Sequence, residues 1–492
     1  MHRSRLGQSL AGLLLQVLPY GAVCRWLLVR RGYKIDEKLF YYEGLAKRLR
    51  RCIKFALPYC LVMRFRKPCP NMGSVDLHDA FLYGDEYDAH SSYAAEYAQV
   101  WECLRLELVR GGGCILFDAS ILAQGLGNGS RSGIFTVTVE LLRRFVRRKV
   151  CLALYNSAVA GTDADVLAFL KSDVELSGLH LLTPEEIRCD IGNTTLGLHY
   201  SACFSPAFEI PDWIRRARVP CFTIIYDAVP MLFPDLYQLK GASWTERVAL
   251  SMTKDDHGFA ISRCSKKDFL KYAPRLRPGN VSIIPLAASE RFYVCKSQDE
   301  MALVRKKYGI PPNRPYFLTL SSIEPRKNLP FAIRAFAEFA RSNADVLFVL
   351  AGKSDDAYAK VMERELQSSG IPPDRVVLTG YVDDHDLSAL YTGAMAFVFL
   401  SVYEGFGLPP LEAMQCGTPV ICSDNSSIPE VVGDAAIKVP CDALSSVVVA
   451  MHRMATDSSL RDKLRTRGLV QARKFSWDKA ADIILGKMER VR

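Results

Sequence analysis

Two carboxylates bound a short run rich in glycine and proline, Glu404-Gly405-Phe406-Gly407-Leu408-Pro409-Pro410-Leu411-Glu412. The apolar residues 396–400 before it read as a buried strand, so Glu404 falls at a strand's C-terminal edge. Gly405 and Gly407 allow the backbone to come close to a ligand. Pro409 and Pro410 suit the first turn of a helix, where backbone N–H groups have no intrahelical partner. Such a start presents those N–H groups and a positive dipole end, a ready place for phosphate. Glu412, about one turn in, can point back toward that end. A carboxylate accepts two hydrogen bonds and so suits vicinal hydroxyls, such as those of a ribose. Alone, the two acids would pass for surface or capping residues; the glycines, prolines and preceding strand make the combination specific.

A second block, Ser321-Ser322-Ile323-Glu324-Pro325-Arg326-Lys327-Asn328-Leu329, also follows a strand and opens a helix. Arg326 offers a planar fork and Lys327 a compact point charge, a pair able to clamp phosphate oxygens. By itself this block reads as a solvated helix start. Elsewhere the alternatives stay open. Tyr226, beside Asp227, is a core aromatic or a ligand contact, and Asp118 at the end of the first strand caps a loop or serves a site. Gly127 and Gly129 read as loop residues, and Asp163-Ala164-Asp165 as a helix start.

The elements that must position these residues alternate between strand and helix from residue 114 onward, the pattern of parallel sheets with helices on their faces. Strand candidates in the first set are 114–117, 150–154, 179–182, 221–226, 258–261 and 282–285. The glycine-rich segment 124–133 reads as a loop before a helix at 134–147. After a polar segment at 289–313, a second set has strands at 316–320, 346–351, 376–378, 396–399 and 419–422. Its helices begin near 328, 356, 383 and 409. The organisation expected is a basic, amphipathic helical extension over 1–110 and a Rossmann-like domain over 111–300. A second such domain covers 301–474, with a last helix at 475–492 packing back on the first. Two doubly wound halves of this kind form a crevice at their strand C-termini, where ligands bind.

Charge separates the extension from the body. Residues 1–70 hold fifteen Lys/Arg and three acids, a surplus of twelve, against +10 for the whole chain of 492 residues. The body is therefore slightly acidic, and the basicity belongs to the extension. The extension is also apolar at 10–29 and 53–63, but Gln16, Pro19 and Arg25 interrupt the first run. A membrane-crossing helix wants about 20 uninterrupted apolar residues. A helix lying on an anionic membrane surface fits better, with packing on the protein itself as the other reading. Residues 93–108 have the spacing of one amphipathic helix, ending at Gly111-Gly112-Gly113. The fifteen cysteines form no CxxC pair or zinc-type cluster and read as buried thiols. No nucleic-acid-binding signature accompanies the basic arm.

Glu404 and Glu412, with seven residues between them in the setting EGFGLPPLEAM, resemble the E-x7-E motif of GT4-family retaining glycosyltransferases (glycosyl transferases group 1, GT-B fold). The Ser321–Leu329 block is similar to a second motif of that family. So are Tyr226-Asp227-Ala228-Val229-Pro230, Ile261-Ser262-Arg263-Cys264-Ser265-Lys266, Ile284-Pro285-Leu286 and Phe475-Ser476-Trp477. The resemblance covers residues 114–490. It implies an α/β GT-B fold, two Rossmann-like doubly wound domains facing a central cleft. It implies that Glu412 binds the nucleotide ribose and that Glu404 contacts the donor sugar. Gly405, Phe406, Gly407 and Leu408, through their backbone, would hold sugar hydroxyls and phosphate. Arg326 and Lys327 would neutralise the leaving diphosphate, with Ser322 and Gly133 beside the donor and Asp227 orienting a hydroxyl. No cofactor and no obligatory metal are implied. The departure is Tyr226, where many relatives carry histidine, and the glycogen-synthase K-x-G-G loop is absent from 123–133.

The function expected is retaining transfer of a hexose, mannose or rhamnose in type, from a nucleotide-diphosphate sugar to a surface or lipid-linked polysaccharide. The place expected is the cytoplasmic face of the cell membrane, held peripherally by residues 1–70, with no nucleic-acid partner. A nucleotide-sugar epimerase on the same fold and a non-catalytic GT-B scaffold are the competing readings.

Overall fold

The computed structural model describes residues 114–127, 133–156, 163–179, 181–182, 200–234, 243–321, 324–352 and 356–491. The basic extension, the helix expected at 93–108 and Ser322 lie outside them. The described chain forms two compact units.

The first unit, ending at Phe222, carries β1 (Cys114–Asp118), β2 (Leu152–Tyr155), β3 (Leu181–Leu182) and β4 (Tyr200–Ser205). They lie in the order β3-β2-β1-β4, all parallel. Every residue of β1 and β2 is buried, as expected of strands covered on both faces. The rings of Phe117, Phe145 and Phe204 pack with centroids 5.3 to 6.2 Å apart, which seats the helix Gly133–Arg147 on the sheet.

The helix Ser120–Gly127 runs four residues into the segment 124–133 read from sequence as a loop. Asp118 explains the start. Its carboxylate accepts from Ser120 N at 2.9 Å and Ser120 Oγ at 2.5 Å, while Ile121, Leu122 and Ala123 are buried behind it. Ser205 Oγ adds a third donor at 3.1 Å. Burial nevertheless pushes the Asp118 carboxyl up to about 6. Asp163 and Asp165 stand in the first turn of the helix Asp163–Ser172, where acids complement the dipole.

The second unit, 223–490, takes up β5 (Cys221–Ile225), β6 (His257–Ala260) and β7 (Val281–Ile283), in the order β5-β6-β7. Ile225, Ala260, Phe269 and Val281 are among the residues of its first core. A second sheet follows: β8 (Tyr316–Leu320), β9 (Leu347–Ala351), β10 (Val376–Gly380), β11 (Ala396–Phe399), β12 (Val420–Ser423) and β13 (Ala436–Val439). Its order is β10-β9-β8-β11-β12-β13, and every pair is parallel. Phe336 of the helix Leu329–Ala340 stacks on Phe348 of β9 at 5.1 Å, within a large apolar core.

Successive strands leave β8 in one direction and β11 in the other. The two are neighbours, so the switch point of the sheet lies between their C-terminal ends. Both motif blocks emerge there. Among the described residues, no helix is long and apolar enough to cross a membrane.

Candidate active site

The chain leaving β8 turns through Pro325–Lys327 and reaches Asn328 at φ 55°, a left-handed position that asparagine tolerates. Asn328 Nδ2 donates to Cys441 O at 2.9 Å, and the helix Leu329–Ala340 begins. The chain leaving β11 runs to Gly407, whose φ of 111° suits glycine, and enters the helix Leu408–Gln415. Val402 N donates to Arg326 O at 2.9 Å, which ties the two turns together.

At their junction one carboxylate meets two cations. Lys327 Nζ donates to Glu404 Oε1 at 2.7 Å, and an Arg326 guanidinium nitrogen lies 2.5 Å from Glu404 Oε2. Lys327 and Glu404 are each buried, at 8% and 7% exposure. Burial alone would raise the Glu404 carboxyl, but Lys327 and Arg326 outweigh it and hold it below its ordinary value. Arg326 also donates to Glu324 Oε1 at 2.6 Å and Tyr403 O at 2.9 Å, so its fork is held on three sides. Lys327 Nζ sits 5.2 Å from the centre of the Phe399 ring. With Glu324 counted beside Glu404, the cluster carries two positive and two negative charges at the switch point.

Asp227, just past β5, presses against Gly405. A Cβ on Gly405 would stand 2.9 Å from both Asp227 Cβ and Oδ2, so only glycine fits. Burial pushes the Asp227 carboxyl up, against the pull of the Arg326 charge and the Val229 N–H.

The 401–406 loop is pinned by polar side chains. Asn425 Nδ2 donates to Val402 O at 2.9 Å, and Ser426 Oγ accepts from Glu404 N at 3.0 Å. Ser427 Oγ reaches Glu404 O and Phe406 O, each at 2.8 Å. From the helix Arg263–Phe269, Ser262 and Ser265 hydroxyls reach Gly405 O at 2.8 and 2.9 Å. Tyr403 Oη donates to Asp268 Oδ2 of the same helix at 2.6 Å. Phe406 is buried edge-on against Phe475.

Glu412 stands one turn into its helix, partly buried, with Tyr391 Oη donating to Oε2 at 3.2 Å. Burial pushes its carboxyl up to about 7, despite the nearby Arg291 charge and the tyrosine hydroxyl.

Glu404, Arg326, Lys327, Asp227, Gly405 and Phe406 are thus one contact network, with Gly407 and Leu408 next in the chain and Glu412 on the adjoining turn. Gly133 is exposed at the start of its helix in the other unit. Tyr226 is buried, its ring edge-on to Trp244, and no partner for its hydroxyl is found among the described residues. Sequence reasoning missed the roles of Ser262, Ser265, Asn425, Ser426 and Ser427. Ser262 carried a visible signal, a cap of Ser265 N at 2.9 Å before a helix. The 425–427 run looked only like a polar turn after β12.

Residues 301–469 match the family described as Glycosyl transferases group 1. The chain is 32% identical over 286 residues to "Serotype-specific mannosyltransferase WbdA" of Escherichia coli, which covers 56% of this chain and 34% of that protein. It therefore spans about a third of the length of that relative. It is 37% identical over 278 residues to "O-antigen chain mannosyltransferase B" of Escherichia coli, covering 56% of this chain and 70% of that protein. Among solved structures it is similar to Anabaena Alr3699/HepE in complex with UDP. There the TM-score is 0.59 at 15% identity, over 77% of this chain and 100% of that one, a likeness in fold.

Proposed function

Because this chain belongs to the glycosyl transferases group 1 family, with the GT-B fold, we propose that it transfers a hexose from a nucleotide-diphosphate sugar to a growing polysaccharide. The hexose is mannose or a close analogue, transferred with retention. The observation that carries this reading is the cation pair of half-buried Arg326 and buried Lys327, held by Glu404 beside the 405–408 turn at the sheet's switch point. The O-antigen and serotype names of the relatives support a surface-polysaccharide acceptor, and their mannosyltransferase activity supports mannose.

In this reading the bond from the anomeric carbon to the diphosphate breaks, the acceptor hydroxyl oxygen bonds to that carbon, its proton passes to the departing diphosphate, and negative charge gathers on the leaving phosphate oxygens. Arg326 and Lys327 stabilise that charge, and Glu404 keeps both cations in place before the donor arrives, so little reorganisation is needed during reaction. The amides of Gly405 through Leu408 face donor oxygens, and Glu412 accepts from the ribose hydroxyls. Asp227, set against Gly405, orients a hydroxyl of donor or acceptor. Residues 1–70 bring the enzyme to an anionic membrane surface on the cytoplasmic side, where a lipid-linked acceptor is held.

The test is thermal stabilisation of the full chain by GDP-, UDP-, ADP- and dTDP-sugars with a chelator present, followed by transfer assays with the donor that binds. Ligand at about 100 times its Kd adds roughly 2.7 kcal/mol of stability. A shift with one donor that disappears in Glu412→Ala supports the reading. No shift with any of the four donors sinks it. Cosedimentation of the full chain with anionic vesicles, and its loss on deleting residues 1–70, tests the membrane placement.

A further inference from the structure

Three consecutive carbonyls of the turn after β11 are gripped by serine hydroxyls. Ser427 Oγ lies 2.8 Å from the carbonyl oxygens of Glu404 and Phe406, sharing one proton between them. Ser262 Oγ and Ser265 Oγ lie 2.8 and 2.9 Å from the carbonyl of Gly405, between those two. All three serines are buried. The helix Arg263–Phe269 that carries Ser265 is itself tied down. Glu430 accepts from the amides of Arg263 at 3.0 Å and Cys264 at 2.9 Å, and Asp268 accepts from Tyr403 at 2.6 Å.

A trans peptide points its C=O and N–H in opposite directions. Fixing the carbonyls of Glu404, Gly405 and Phe406 therefore fixes the directions of the N–H groups of Gly405, Phe406 and Gly407. No acceptor for these three amides, or for Leu408 N, is found among the described residues. The grip is alternate, with one carbonyl held from the helix Arg263–Phe269 and its two neighbours held by Ser427. A glycine-containing turn would otherwise sample several peptide orientations, because Gly405 and Gly407 restrain it little.

We propose that Ser262, Ser265 and Ser427 are positioning residues that preset the amides of Gly405, Phe406 and Gly407 to receive the phosphate and sugar oxygens of the donor. This rests on the donor-binding reading given above. Removing the Ser427 hydroxyl, or those of Ser262 and Ser265 together, leaves a buried carbonyl unpaired and frees its peptide to rotate. Ser265→Ala alone leaves Gly405 O on Ser262 and loosens the grip, while threonine keeps the hydroxyl. The effect falls on donor affinity and on kcat rather than on acceptor KM.

The experiment measures binding of GDP, UDP, ADP and dTDP by titration calorimetry, using the full chain as wild type and as Ser265→Ala, Ser262→Ala/Ser265→Ala, Ser427→Ala and Ser265→Thr. Melting temperature and hydrogen exchange of residues 403–411 are followed alongside. Wild type binds one diphosphate. Ser265→Ala is expected to weaken that binding about 5- to 10-fold, and the double variant and Ser427→Ala further. Exchange across 403–411 rises, and Ser265→Thr stays near wild type. Wild-type affinity in both the double variant and Ser427→Ala overturns the proposal, as does a threonine variant as weak as the alanine one. If the double variant fails to fold, Ser427→Ala, acting on the neighbouring carbonyls, decides the matter. A wild type that binds none of the four diphosphates removes the donor-binding reading itself, and this inference with it.

Discussion

Lys327 Nζ donates to Glu404 Oε1 at 2.7 Å, and both side chains are buried. Seventy-seven residues of chain separate them. With Arg326 on its other oxygen, Glu404 has both carboxylate oxygens engaged by cations. Glu404 therefore acts first as the anchor of the cation pair, and a sugar contact would add to that task.

Glu404→Gln should be costly twice over. It leaves Lys327 facing a neutral amide and Arg326 with Glu324 as its remaining carboxylate, and removing one partner of a buried ion pair costs about 3 to 5 kcal/mol. It also loosens the groups that stabilise the leaving diphosphate, so kcat should fall on the order of 100- to 1000-fold. Denaturant midpoints and kcat for the variant check both effects. The charge also sets a pH dependence. The folded-state carboxyl lies below its ordinary value, so its stabilisation is present above about pH 4.5 and is lost as pH falls through the folded value. The acid limb of the stability curve should be shallower in Glu404→Gln. Equal limbs would place the carboxylate outside the ion cluster.

Arg326→Lys keeps the charge and loses the fork. Lysine cannot reach Glu404, Glu324 and the Tyr403 carbonyl together, as Arg326 does. We expect kcat/KM for the donor to fall about 10- to 100-fold, with melting temperature changed little. A loss smaller than twofold would show that only the charge at this position matters.

Gly405→Ala places a methyl group 2.9 Å from Asp227 Cβ and Oδ2 and 3.2 Å from Ile261 Cδ1. Overpacking of this kind costs roughly 1 to 3 kcal/mol and displaces what it touches. Donor affinity and stability should both fall. Asp227→Gly in the same chain should recover the stability without the activity, since it removes the clash together with the carboxylate. Failure of that recovery in a thermal melt would place the strain elsewhere.

Glu412 titrates near neutrality in the free protein, at about 7, because of burial. Accepting from ribose hydroxyls requires the ionised form, so donor affinity should rise between pH 6 and 8 and level off above. Glu412→Gln should bind weakly and without that rise. Stability runs the other way. The folded value lies above the ordinary 4.5, so the native state holds the extra proton between about pH 4.5 and 7. Stability from this group is full below that window and is lost as pH rises through it, by at most about 3 kcal/mol. Calorimetric titrations and melts at pH 6, 7 and 8 test both signs.

Much of this molecule was legible along the chain. The strands Tyr316–Leu320 and Ala396–Phe399 appear where their apolar runs place them, because a strand covered on both faces needs a continuous apolar segment. The 404–412 segment announced a strand end, a close backbone approach and a helix start from glycine and proline alone. Two strands escaped that reading. Tyr200–Ser205 and Ala436–Val439 are short and their apolar runs are broken by Ser201 and Lys438, and only pairing with β1 and β12 makes them strands. The serine grip was invisible for a related reason. A serine hydroxyl serves equally as a cap, a turn or a surface group, and nothing near Ser262, Ser265 or Ser427 says which carbonyl it meets. Ser262 stands 143 residues before Gly405. Local propensity and periodicity act over a few residues and so can be read in order along the chain. The directions of the Gly405, Phe406 and Gly407 amides, and the pairing of Glu404 with Lys327, depend on which distant segments pack together, and only the folded chain decides that.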